Sequence, residues 1–171
     1  MSAPGSRAPA TPRLAPLLGL LMPACGATGA RGVAVATFDA ARLVRPARPN
    51  TALAAPAGFS PPPDFVTPTY PVPPERLFAV LRGVADGRPR TFLAAEDRAR
   101  LQAQWVARSR VLNFPDLVSA QVLAARPEAS QLVLYSRSVY GYSDFGANRG
   151  RLRAWLAAID AALELPRNVP A

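Results

Sequence analysis

Proline is the residue that most restricts the architecture of this chain. Most of its 20 prolines precede Pro74, and proline fixes φ and removes a backbone donor, which excludes it from the interior of most helices and sheets. We therefore expect an extended N-terminal part and a compact C-terminal part. A chain of 171 residues has room for one such domain and an additional N-terminal segment.

The composition excludes several classes of catalytic and metal site. All 20 basic residues are arginine, and the chain contains no histidine and one cysteine. A Ser-His-Asp or Cys-His arrangement, an imidazole metal ligand, an intrachain disulfide and a cysteine-rich zinc site cannot be built. Arginine stays protonated, so an enzyme would depend on Asp, Glu, Ser, Thr and Tyr. We expect no metal and no cofactor, and favour a non-catalytic role over an enzyme.

The net charge of +9 first suggests a nucleic-acid partner, but the arginines are scattered along the chain. A solvated basic surface is the favoured interpretation, and no nucleic-acid partner is expected. Attraction to anionic lipid or to envelope polymers is a second possibility.

The N-terminus has the pattern of a secretory signal, predicted over residues 1–24. Arg7 and Arg13 are followed by the short apolar run in "LAPLLGLLMPACGATG", with no acidic residue before it. Such a run, ending in small residues, is typical of a signal peptide and too short to span a bilayer.

The only cysteine, Cys25, follows this run directly. "MPAC" resembles the lipobox of bacterial lipoproteins, which implies lipidation of Cys25 and a lipid anchor in the membrane. Because Gly26 is not aspartate, the resemblance implies the outer membrane if the cell is Gram-negative. Alternatively, cleavage after Ala27 or Ala30 would discard Cys25 with the signal.

The remainder divides into three parts: a tether over 25–45, a proline-rich extended segment over 46–66 without an interior strand, and an α+β domain over 67–165. Periodicity predicts the order β-α-β-β-β-β-α. Apolar and polar residues alternate along "RLQAQWVARSR", with Gln102, Gln104, Arg108 and Arg110 on one face. This alternation predicts an antiparallel sheet of about five strands, with two helices on its apolar face and solvent on the other.

The stretch "GYSDFGANRGR", Gly141 to Arg151, lies between the last strand and the last helix. Asp144 is placed to cap the helix. The helical spacing directs Asn148 and Arg149 towards the sheet, where Asp116, Asp144 or an external anion could neutralise the arginine.

We favour an ion-pair network, formed by Arg137 and Arg149 with Asp116 and Asp144, that holds the helix on the sheet. The alternative is a site for a small anionic ligand formed by Arg137, Tyr142, Asp144, Asn148 and Arg149. A metal-independent hydrolase or transferase would use Asp144 or Tyr142, with the arginines holding its anionic substrate. An envelope protein is a further possible partner.

"YSRSVYGYSDFGANRGRLRAWLAAI", with "RPN" at Arg48 to Asn50 and "NFPD" at Asn113 to Asp116, resembles the domain of unknown function 1499 family. Thr51 stands near the position where that family commonly carries a cysteine. The resemblance covers about residues 46–163. It implies a small bacterial domain, often exported or membrane-associated, with no assigned activity.

Overall fold

The computed structural model describes residues 22–164, so most of the predicted signal lies outside the described residues. The helices are α1 (Pro23–Gly26), α2 (Pro74–Asp86) and α3 (Ala147–Ala162), and Ala40–Arg42 form a short 3₁₀ turn. The strands are β1 (Thr51–Pro56), β2 (Phe65–Thr67), β3 (Thr91–Asp97), β4 (Gln102–Arg108), β5 (Pro115–Arg126) and β6 (Ala129–Ser138).

The six strands form one sheet in the order β2-β1-β6-β5-β4-β3. The pairing of β1 with β2 is parallel and the other pairings are antiparallel. The predicted α+β class is confirmed. Both hairpins that the sequence predicts form, β3 with β4 and β5 with β6. The details differ from the prediction, because the sheet is mixed, has six strands and accompanies three helices.

The expectation that residues 46–66 hold no interior strand was wrong. β1 lies between β2 and β6, and its residues Thr51–Ala55 are free of proline. Pro56 occupies its last position, and the pairing with β6 ends at Ala54. Its missing N–H therefore removes no hydrogen bond from that ladder. The first strand of the predicted order was expected over "TPTYPV", residues 67–72. In the structure Thr67 ends β2, and the rest of that stretch pairs only through a bridge between Tyr70 and Ser130.

Helices α2 and α3 pack on one face of the sheet, as their apolar periodicity predicts. Leu77 and Leu81 of α2 are fully buried there, together with Leu152 of α3. Trp105 of β4 meets Trp155 of α3 edge to face, with ring centroids 5.5 Å apart, a favourable geometry for aromatic pairs. This layer is the main core of the domain.

The opposite face of the sheet was expected to meet solvent, and this was wrong. Residues 24–45, here called the covering segment, lie across it and include the whole stretch predicted to be a tether, 25–45. Gln104 donates to the Ala36 carbonyl over 2.7 Å, and Ala40 N donates to Gln121 Oε1 over 3.1 Å. A second apolar cluster forms beneath the segment, from Phe38, Ala40, Leu53, Ala55, Val133 and Tyr135. Polar strand residues are buried here because carbonyl and amide groups of the covering segment satisfy them.

Candidate functional site

The loop between β6 and α3 carries the side chains that the sequence singled out. Asp144 accepts hydrogen bonds from Asn148 N at 2.7 Å and from Gly146 N at 3.0 Å. Gly146 occupies the N-cap position with φ 82°, a left-handed conformation that favours glycine. Asp144 therefore satisfies backbone donors at the start of the helix and complements its dipole, an effect of about 1 kcal/mol.

Asn148 is fully buried and links three elements through its amide. Its Nδ2 donates to the Asn50 carbonyl at 3.0 Å and to Ser138 Oγ at 3.1 Å. Its Oδ1 accepts from Ser136 Oγ and from Arg151 Nη1, each at 2.5 Å. The inward direction predicted for Asn148 is confirmed, and the residue joins α3 to β6 and to the residue that precedes β1.

Arg151 is the inward-facing arginine, which the sequence reasoning missed. Its Nη2 lies 2.6 Å from Asp116 Oδ2 at the start of β5, and its Nη1 lies 2.9 Å from Ser136 Oγ. The Arg151 and Asp116 side chains are mostly buried. The spacing of three residues from Asn148 places both on one helix face and could have revealed this role.

Arg149 was predicted to point towards the sheet, but it lies in an exposed position at the side of α3. Its Nη1 contacts Asp64 Oδ1, and its guanidinium lies 5.3 Å from the centre of the Phe65 ring. Asp64 also accepts from Arg45 Nη2 at 2.6 Å and from Leu53 N at 2.9 Å. This second ion-pair cluster attaches α3 to β1 and β2.

The structure does not bring the five tentative ligand residues together. Arg137 pairs with Thr51 and Leu117 across the sheet, so strand alternation places its side chain on the face opposite Ser136 and Asn148. Tyr142 is 69% exposed in the loop.

Arg137 lies near the buried Tyr135. Burial raises the pKa of the Tyr135 hydroxyl, and the charges of Arg137 and Arg45 oppose that rise. Tyr135 is therefore a neutral phenol at physiological pH.

Residues 22–164 contain no group of three His, Cys, Asp or Glu residues placed to hold a metal ion. None of their helices is both long enough and apolar enough to cross a membrane.

The fold and its loop define a small α+β domain whose last helix is held to the sheet by a buried amide and two ion-pair clusters. The family described as "Protein of unknown function (DUF1499)" matches residues 44–159. The chain therefore belongs to this family, as the sequence resemblance implied.

Comparison with solved structures gave distant similarities. Ara h 8.0201 aligns with a TM-score of 0.42 and 14% identity, over 57% of this chain and 93% of that one. A DUF4468 family protein from Bacteroides ovatus aligns with a TM-score of 0.29 and 14% identity, over 60% of this chain and 85% of that one. TTHA0849 from Thermus thermophilus aligns with a TM-score of 0.30 and 16% identity, over 67% of this chain and 94% of that one. A search of curated proteins found no match.

Proposed function

We propose that this protein is an exported lipoprotein whose domain is a non-catalytic binding module at the membrane surface. The observation that carries the non-catalytic part is how the closing motif uses its polar groups. Asp144 satisfies the start of α3, Asn148 donates to the residue before β1, and Arg151 donates to Asp116 at the start of β5. Groups used in this way hold the fold together and are not free for proton transfer or attack.

The route to the membrane is the N-terminal segment. The signal-like residues 1–24 precede Cys25, and the chain after it is held against the domain. Asn113 Nδ2 donates to the carbonyls of Cys25 and Ala27, at 2.5 and 2.9 Å. A lipid on Cys25 would thus be joined to the domain by a short, ordered connection.

Lipidation requires two local changes. Removal of residues 1–24 with the signal takes away the Ala24 carbonyl, to which Arg108 donates, and leaves the Gly29 and Arg31 carbonyls as the partners of Arg108 in the covering segment. The Cys25 side chain is buried, and burial raises the pKa of its thiol while the nearby Arg108 charge opposes that rise. A thioether-linked lipid does not fit a buried position, so Sγ must turn outwards. The contacts with Asn113 use backbone carbonyls and do not need the thiol, which allows the segment to stay in place.

Metabolic labelling tests the anchor. The full chain, expressed in a bacterial host with an alkyne-tagged palmitate, should take up label and fractionate with membranes. Cys25→Ser should abolish the label, whereas Ala27→Ser, two residues further on, should retain it. An unlabelled wild-type protein whose mature N-terminus is Thr28 or Arg31 would overturn the anchor and establish ordinary signal cleavage.

A further inference from the structure

One end of the sheet gathers five loop segments of the domain. β4 and β6 finish there, and β1, β3 and β5 begin there. We call it the loop end, formed by residues 22–32, 45–50, 88–91, 109–114 and 139–146. The loop before β5 and the loop after β6 are adjacent, since Val139 N donates to the Pro115 carbonyl at 3.2 Å.

Large apolar side chains are exposed at the loop end. Phe145 is 99% exposed, Val111 78% and Leu112 39%, and Tyr142 projects from the same loop as Phe145. Phe145 also has a φ of 53°, a left-handed conformation that is unfavourable for a bulky residue. The backbone of Phe145 is strained, and its exposed ring contributes nothing to the core. This exposed ring therefore points to a partner outside the domain.

The charge of the loop end is positive. Its segments contain six arginines and a single acidic residue, Asp144, which is bonded to the start of α3. Four of these arginines are exposed: Arg31, Arg48, Arg90 and Arg110. The two turns at the opposite end of the sheet have mixed charge, with Asp97 and Glu128 beside their arginines. Exposed apolar groups among arginines suit the headgroup region of an anionic bilayer.

The path of the chain also leads to this end. The described residues begin at Met22, and the carbonyls of Ala24 and Cys25 are bound by Arg108 and Asn113, at the end of β4 and in the following loop. Cys25, the proposed attachment point of the lipid, therefore lies at the loop end.

We infer that the loop end is a bilayer-contact surface that binds anionic phospholipids. Phe145, Tyr142, Val111 and Leu112 enter the headgroup region, and the exposed arginines bind lipid phosphates. This inference deepens the proposed function by naming what the module binds. The contact itself uses no lipid on Cys25, which allows the two proposals to fail separately.

The test uses the full chain carrying Cys25→Ser, so that no lipid can be attached, and vesicles of phosphatidylcholine with or without phosphatidylglycerol. Phe145→Ser combined with Val111→Ser should weaken vesicle binding by roughly tenfold, since two apolar side chains no longer leave water. Val66→Ser removes a comparably exposed apolar group on β2 and should leave binding unchanged. All variants share the N-terminal apolar run, so differences between them report the loop end.

Charge is tested in the same assay. Arg110→Gln should lower binding to the anionic vesicles by roughly fivefold and leave binding to neutral vesicles unchanged. Arg126→Gln, an exposed arginine at the opposite end of the sheet, is the matched control. Thermal unfolding of each variant establishes that it is folded.

The proposed bilayer-contact surface would be wrong if vesicle binding changed neither with vesicle charge nor with these substitutions. It would also be wrong if the protein did not bind vesicles. Loss of palmitate label from the wild type together with normal vesicle binding would overturn only the anchor on Cys25. Palmitate labelling without a vesicle effect would overturn only the surface, and would direct attention to a protein partner for the exposed loops.

Discussion

The side chain of Asn148 connects three parts of the fold through hydrogen bonds. Its amide connects β6, α3 and the residue before β1 through two donated and two accepted hydrogen bonds. Each partner is buried or partly buried, so a lost bond leaves a desolvated polar group without compensation. A polar residue at this position serves stability because every one of its groups is satisfied.

Asn148→Ala should therefore lower the free energy of unfolding by about 3 kcal/mol, since several buried partners lose their bonds at once. Urea unfolding followed by tryptophan fluorescence measures it. Arg137→Gln is the control from the same motif, because Arg137 lies on the other face of the sheet, and it should change stability by less than about 0.5 kcal/mol. Equal effects of the two substitutions would contradict the role assigned to Asn148.

Tyr70 and Asp160 form a buried polar pair on the helix side of the sheet. The Tyr70 hydroxyl and Asp160 Oδ1 have no hydrogen bond of good geometry among the described residues, yet they lie close enough to affect each other. Burial raises the pKa of the Asp160 carboxyl and the Tyr70 hydroxyl opposes that rise. Burial also raises the pKa of Tyr70, and the Asp160 charge adds to it. The protonated form of Asp160 is therefore favoured more in the folded state than in the unfolded state.

The sign of the resulting pH dependence follows from linkage. With its pKa higher in the folded state, Asp160 contributes stability below its unfolded pKa of about 4, and loses it as pH rises through the folded pKa. Asp160→Asn cannot ionise, so its stability relative to the wild type should increase through that window and then level off. Urea unfolding at a series of pH values measures this difference. Glu128→Gln, at an exposed position in the β5–β6 turn, should show no such increase, and a flat difference for Asp160→Asn would contradict the prediction.

The covering segment owes its position largely to Arg108 at the end of β4. The guanidinium donates to the carbonyls of Ala24, Gly29 and Arg31, and to that of Asn113. Burial lowers the pKa of Arg108, but carbonyl acceptors around the group compensate its desolvation. One buried arginine thus orders a segment that has no regular strand of its own.

Arg108→Met preserves much of the side chain's length and removes all of its donors. We expect the covering segment to open more often, so that trypsin cleaves after Arg31 roughly 100-fold faster, since several hydrogen bonds of about 1 kcal/mol each are lost. Limited proteolysis followed by mass spectrometry identifies the site and its rate. Arg98→Met, in the β3–β4 turn, should leave that rate unchanged. Unaltered cleavage in Arg108→Met would show that the apolar contacts of Phe38 and Ala40 hold the segment.

The net charge of +9 is unevenly distributed over the molecule, and so is the exposed apolar surface. The segments of the loop end carry one acidic residue, Asp144, and combine their arginines with exposed apolar side chains. A molecule polarised in this way orients in the field of an anionic surface. The proposed attachment at Cys25 and the proposed contact surface then act at the same end and hold the domain in one orientation.

Local patterns in the sequence were sufficient to predict α2, α3, the two hairpins and the inward direction of Asn148. Periodicity depends on neighbouring residues alone. Three features depended on distant parts of the chain. β1 is interior because β2 and β6 take it up on both sides, and Arg151 turns inwards because Asp116 lies opposite it. Gln104 and Arg108 are buried because the carbonyls of residues 24–36 reach them. A contact with a residue far away in the chain does not change the local periodicity of the sequence. Polar residues alternate with apolar ones along a strand in the same way whether they are later buried or solvated.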